Sequence, residues 1–161
     1  MLSTVKWYGS DGSVLNNKIV RNKEATMFAV KTGFINPIYA VDNSSSKFKL
    51  IDNQIQQMIG RVPRTYAEVA YDAFWVAALA ENATAGTKDI NYLRNTFLKI
   101  ANSYNGVTGD TSLNKAGDRK HGDYDFWTIK PSDGNNNAFV WTQVGRFQIN
   151  PNLKGGGLIG P

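Results

Sequence analysis

A change in hydrophobic periodicity near Val107 constrains the fold of this 161-residue chain more than any other feature. Before Val107, apolar side chains recur at helical spacing in several successive segments, whereas after it they alternate as they do in β-strands. A short β-favouring run also precedes the helical segments. Helical and strand patterns in a chain of single-domain length predict an α/β protein.

The predicted helices carry recognisable end signals. Asparagine, serine or aspartate stands where a helix would begin, and glycine stands after several of the ends. The alanine-rich segment that begins at Thr65 is apolar over most of its circumference, so we expect it to be mostly buried. The four predicted helices are Lys23–Thr32, Lys47–Ile59, Thr65–Glu81 and Asp89–Tyr104.

The predicted strands lie on either side of these helices. One follows Pro37 and extends to Val41, and the others lie after Val107, where the last three are expected to pair as antiparallel neighbours. The glycine-rich tail from Pro151 to Pro161 is expected to be loose. The β-favouring segments after the helices are 108–113, 124–130 and 139–147.

Composition excludes several classes of function. The chain has no cysteine and one histidine, His121, so neither a disulfide nor a thiolate or histidine metal cluster is expected. The net charge of +5 comes from scattered lysines and arginines, a pattern that does not favour nucleic-acid binding. Neither a phosphate-binding glycine loop nor a dinucleotide fingerprint occurs, so we expect no cofactor.

The run Val5–Gly12 places a hydroxyl and a carboxylate, Ser10 and Asp11, directly after a β-favouring segment. Ligands of open α/β sheets bind at the carboxyl ends of strands, so these two residues are candidates for a binding site. The same residues also suit a plain connection from strand to helix, in which Asp11 or Ser13 caps the helix. The pattern alone leaves both interpretations open.

Four aspartates crowd one segment after the helices. A carboxylate-dependent hydrolase using Asp118, Asp123 and Asp125 is therefore an alternative, although their spacing, with Asp110, does not match a calcium-binding loop. Aspartate is also common in hairpin turns. The enzyme interpretation has little further support in the sequence.

Several separated motifs, in order, resemble one family. The chain is similar to the carboxyl-terminal part of type I periplasmic binding proteins, the extracellular ligand-binding receptors that bind branched-chain amino acids and amides for ABC importers. The resemblance covers nearly the whole chain. It rests on Trp7–Gly12, Tyr66 with Ala70–Ala73, Tyr104–Gly109, Leu113–Arg119 and Gly122–Trp127.

The resemblance implies a partial type I periplasmic-binding-protein fold, built from three-layer α/β/α lobes with a terminal antiparallel β section. Residues 1–41 would end one lobe, residues 42–107 would form the helical part of the other, and residues 108–161 would return to the first lobe and finish in a loose tail. Closure of two such lobes over a small polar ligand would be the mechanism, without catalysis.

The resemblance also implies a role for the loop after the first strand. Asp11 occupies the acidic position that contacts the ammonium group of the ligand in this family. Ser10 is a second candidate, and Tyr8 or Trp7 would form a wall of the pocket. The expected ligand is a branched-chain amino acid, an amide or a urea-like compound.

The part of the family that precedes this loop has no counterpart in the chain. We therefore expect a carboxyl-terminal fragment, without the signal peptide, of a periplasmic or extracellular lipoprotein whose partner is an ABC permease. Alone it should bind amino acids weakly or not at all, and its unpaired strand edges and apolar helix faces favour homo-oligomers or chain exchange. A ligand-sensing regulatory protein of the same fold is an alternative.

Overall fold

A computed structural model describes residues 4–133, 135–150 and 155–159. The chain divides into two compact units, one formed by residues 1–40 and 122–161 and the other by residues 41–121. The helices are α1 (Asn17–Arg21), α2 (Lys23–Thr32), α3 (Ser46–Ile59), α4 (Thr65–Thr84) and α5 (Ile90–Ala101). The strands are β1 (Asn36–Ala40), β2 (Asn105–Gly106), β3 (Gly109–Asp110), β4 (Asp123–Ser132), β5 (Asn135–Asn150) and β6 (Gly155–Ile159).

The first unit is an antiparallel sheet with the order β1-β4-β5-β6 and the two helices α1 and α2. On β1, residues Asn36, Ile38 and Ala40 alternate as the buried positions, as expected for a strand with one covered face. Helix α2 packs on β4. Its predicted ends are confirmed, because Asn22 caps its first turn and Gly33 ends it with a φ of 61°.

Both ends of the first unit differ from the prediction. The run before Gly9 forms only an isolated parallel bridge between Tyr8 and Ile35 rather than a regular strand. Residues Gly155–Ile159 form β6 against β5, so the prediction of a loose tail is wrong for these residues. Backbone pairing does not depend on side chains, which is why this glycine-rich segment can form an edge strand. Residues 151–154, 160 and 161 lie outside the described residues.

The second unit contains α3, α4, α5 and the short β2–β3 hairpin. Asp89 caps α5 through its side chain, as predicted. A serine was expected before α3, and the structure shows that Ser45 caps this helix one residue earlier than the predicted start at Lys47 would place the cap. Helix α4 extends three residues beyond its predicted end and buries one stripe, formed by Glu68, Asp72, Val76, Ala80 and Thr84.

The expectation that α4 is mostly buried is wrong. Phe74 is 67% exposed, and Trp75 and Leu79 are also exposed. An apolar circumference predicts that a helix can be covered on every side, but burial also requires packing partners around it.

The chain leaves the first unit after residue 40, one residue from the predicted boundary, and re-enters it at residue 122 rather than 108. The assignment of these units to two lobes stays a prediction. Among the described residues, no helix combines the length and the apolar character needed to span a bilayer.

Candidate functional site

The loop after Tyr8 is held by backbone hydrogen bonds to the segment that leads into β1. The Gly9 N–H donates to the Ile35 carbonyl at 2.9 Å, and the Ile35 N–H donates to the Trp7 carbonyl at 3.4 Å. These bonds fix the point at which the chain turns away from the sheet. Residues 10–12 then project beyond it, all of them exposed.

A buried amide supports this loop from beneath. Asn36 is fully buried, and its Nδ2 donates to the Phe34 carbonyl at 3.2 Å. The Ser13 hydroxyl lies 2.5 Å from Asn36 Oδ1 and accepts the Ser10 N–H at 3.1 Å. A Cβ on Gly9 would overlap Asn36 Oδ1 and lie 2.6 Å from Ser13 Oγ, so only glycine fits here without a shift.

Neither Asp11 nor Ser13 caps a helix. Helix α1 begins at Asn17, and its cap is Asn16, whose side chain accepts the Lys18 N–H at 3.0 Å. Ser13 instead closes the turn, since its N–H donates to the Ser10 carbonyl at 3.0 Å. The capping interpretation is therefore wrong, and the Asp11 side chain stands in an exposed turn.

The two aromatic candidates take different positions. Tyr8 is 68% exposed and lines an open apolar cleft of about 460 Å³. The Trp7 ring packs edge-on against Phe28 of α2, with ring centroids 5.5 Å apart. The remaining lining residues of the cleft are Gly9, Ile35, Pro37, Phe126, Val144, Gly145 and Leu158.

Two of the clustered aspartates bridge neighbouring strands. Asp125 on β4 accepts two hydrogen bonds from the Arg146 guanidinium on β5, at 2.6 and 2.9 Å, and Asp123 accepts the Ile149 N–H at 2.9 Å. These contacts hold β5 against β4. Asp118 is exposed in a turn of the second unit, and the hydrogen bonds from Ser112 to Asp110 lower the pKa of the Asp110 carboxyl.

The sequence indicated the loop but not its support. Nothing in the sequence pattern assigns Asn36 a role, although a buried asparagine needs hydrogen-bond partners. Its position directly before Pro37 indicates only that its backbone is extended.

No protein-family model matches the chain. Its similarity to a solved crystal structure, a leucine-binding protein LivK from Thermotoga maritima, has a TM-score of 0.53 at 16% sequence identity. The alignment covers 96% of this chain and 37% of that one. The chain has part of the periplasmic binding protein fold. The predicted fold class is thereby confirmed.

A curated relative, an uncharacterized protein from Methanocaldococcus jannaschii, is 27% identical over 146 residues. That match covers 84% of this chain and 34% of the relative. The chain thus spans about a third of the length of both proteins.

Proposed function

We propose that this chain belongs to the solute-binding component of an ABC importer, which recognises a small polar ligand by closure of two lobes. The observation that carries the proposal is the exposed turn at Ser10 and Asp11, which directly follows two residues that line an apolar cleft, Tyr8 and Gly9, in a chain with part of the periplasmic binding protein fold. The ligand is a branched-chain amino acid, an amide or a urea-like compound.

The loop offers complementary chemistry to such a ligand. The Asp11 carboxylate accepts hydrogen bonds from an ammonium or amide N–H, and a charge-assisted bond to an ammonium is stronger than a neutral one. The Ser10 hydroxyl forms a hydrogen bond with an adjacent polar atom of the ligand. Tyr8 and the cleft contact the carbon skeleton, while Trp7, packed on Phe28, holds the preceding segment in place.

Lobe closure requires contacts from two sides. Loop 9–12 supplies one side, and a second lobe supplies groups for the rest of the ligand. The ligand binds the closed state more tightly than the open state and therefore shifts the population toward it. A membrane permease then binds the closed protein. This function places the whole protein in the periplasm or outside the cell, anchored as a lipoprotein.

The proposal is tested by titrating the ¹⁵N-labelled chain with leucine, acetamide or urea and following the backbone amides by NMR. We expect weak, saturable shifts at Gly9 and Gly12 with at least one of these compounds. Asp11→Asn should abolish the shifts because it removes the charge that faces the ligand. Asp133→Asn, which makes the same change at another exposed aspartate of the first unit, should leave them intact.

A saturable response that persists in Asp11→Asn would contradict the proposal, because it would place binding elsewhere.

A further inference from the structure

Helices α3 and α4, which pack together in the second unit, each carry an acid on the side that is turned inward. On α3, the half-buried residues Phe48, Asp52 and Ile55 recur at helical spacing, so Asp52 stands in the middle of the covered side. On α4, Glu68 belongs to the buried stripe and is 1% exposed. The two carboxyl groups are close enough for Asp52 to act on Glu68.

No cationic side chain compensates for the burial of Glu68. Its Oε1 has no hydrogen-bond partner, and it forms no ion pair, within the described part of the chain. A carboxylate without a positive partner is costly to remove from water. Burial at this position therefore favours the neutral acid over the carboxylate.

The charge that acts on Glu68 has the same sign as its own. Burial raises the pKa of the Glu68 carboxyl, a backbone hydrogen bond offsets part of the rise, and Asp52 adds to it. Asp72, one turn further along α4, accepts the Val107 and Thr108 N–H groups. The remaining charges of α3, α5 and the β2–β3 hairpin are exposed and belong to Lys47, Lys49, Arg94, Lys99 and Asp110.

Helix α3 is lightly attached along its length. None of its residues is fully buried, and Leu50 and Met58 are 59% and 86% exposed. Its first turn is tied to the hairpin, where the Lys47 Nζ donates to the Asn105 carbonyl at 2.7 Å. The contact at Asp52 therefore falls where the helix has no fully buried apolar anchor.

We propose that α3 and α4 form a proton-controlled latch, in which α3 stays packed on α4 while Glu68 is neutral and detaches when Glu68 and Asp52 are both ionised. Ionisation places two negative charges together at a site from which water is largely excluded, and detachment returns both to water. The packed state binds the proton more tightly than the detached state. Its population therefore falls as pH rises from about 4.5, the ordinary pKa of the Glu68 carboxyl, through the raised value.

Hydrogen exchange of the ¹⁵N-labelled chain, followed by NMR across the pH range, tests the latch. After correction for intrinsic exchange rates, the amides of α3 should show an opening constant larger than that of α5. This constant should rise with pH by at most about tenfold per pH unit. In Glu68→Gln the rise should disappear, because glutamine stays neutral. Glu81→Gln, which removes an exposed acid of the same helix, should retain it.

Asp52→Asn provides an independent check. It removes the like charge but leaves Glu68 buried, so the rise should end at a lower pH than in the wild-type chain. Circular dichroism establishes that both variants keep their helices. A wild-type opening constant of α3 that does not change with pH overturns the proposal, and so does a rise that persists in Glu68→Gln. Equal opening constants for α3 and α5 at every pH overturn it too, since α3 would then detach only on global unfolding.

Discussion

The loop at Gly9 in the first unit and the β2–β3 hairpin in the second unit each place a glycine against a buried polar side chain. They differ in where the carboxylate lies, which is exposed in the first and buried in the second. A Cβ on Gly9 would overlap the side chain of Asn36, and a Cβ on Gly106 would overlap both carboxylate oxygens of Asp72. Both supporting side chains are almost completely buried. In each loop, glycine allows the backbone to lie directly on a polar group.

The difference lies in where the carboxylate stands. Asp72 lies beneath its loop, where it accepts the Val107 and Thr108 N–H groups at 2.7 and 2.8 Å and the Thr108 hydroxyl at 2.5 Å. Asp11 is exposed in the turn that follows Gly9, and the buried group against that glycine is the neutral amide of Asn36. A buried carboxylate that accepts backbone N–H groups is structural, whereas an exposed carboxylate can meet a ligand.

Removing the buried carboxylate should have the largest effect on the free energy of unfolding. Asp72→Ala leaves two backbone N–H groups and a hydroxyl in a buried site without their acceptor, and should lower the free energy of unfolding by about 3–5 kcal/mol. Urea unfolding measures this loss. Asp118→Ala, at an exposed aspartate of the same unit, should change stability by less than about 0.5 kcal/mol.

Asp72→Asn separates hydrogen bonding from charge. An amide oxygen can still accept a hydrogen bond from the loop, so this variant should lose less stability than Asp72→Ala. A tolerated Asp72→Ala would show that the loop in the second unit does not depend on its carboxylate, and the comparison would fail.

Local elements were predictable because their signals are local. The caps of α2 and α5 were predicted at Asn22 and Asp89, and a serine was predicted before α3, since each cap accepts hydrogen bonds from N–H groups within three residues of itself. The exposed turn at Asp11 was predictable for the same reason.

What could not be predicted depends on residues distant in the chain. The bond between Asp72 and the 107–108 backbone joins residues 35 and 36 positions apart, and the contact of Ser13 with Asn36 spans 23. Only the folded chain brings these groups together. The apolar surface of α4 was recognised from its composition, but its burial depended on neighbours that the composition does not specify.

In the first unit, we expect a smaller loss of stability when the contact between Gly9 and Asn36 beneath the candidate site is disturbed. Gly9→Ala forces Asn36 or the turn to move and should cost about 1–3 kcal/mol, with a shift of the Asn36 side-chain amide signals in NMR spectra. Gly12→Ala is the matched control, because its Cβ would meet only Ser10 Oγ at an ordinary 3.6 Å. Equal stability of the two variants would mean that Asn36 does not support the loop.

The smallest expected effect on stability is the pH-dependent contribution of Glu68, the other buried acid of α4. Glu68 lies one turn before Asp72 and is 1% exposed, but its Oε1 has no hydrogen-bond partner among the described residues. Burial raises the pKa of the Glu68 carboxyl above its ordinary value of 4.5, a backbone hydrogen bond offsets part of this rise, and a hydrogen bond with Asp52 and the charge of Asp52 add to it. The same helix face therefore holds one acid that accepts backbone N–H groups and another whose pKa is raised by burial.

The native state binds the Glu68 proton at pH values where the unfolded chain has released it. The free energy of unfolding should therefore fall as pH rises from about 4.5 through the raised native pKa, by at most about 1.4 kcal/mol per pH unit. Glu68→Gln keeps the neutral form and should remove this contribution, as measured by urea unfolding across the pH range. Glu81→Gln, on the exposed side of α4, should retain it. Identical pH profiles for the two variants would show that burial does not raise the pKa of Glu68, and that burial on this helix does not separate the two acids.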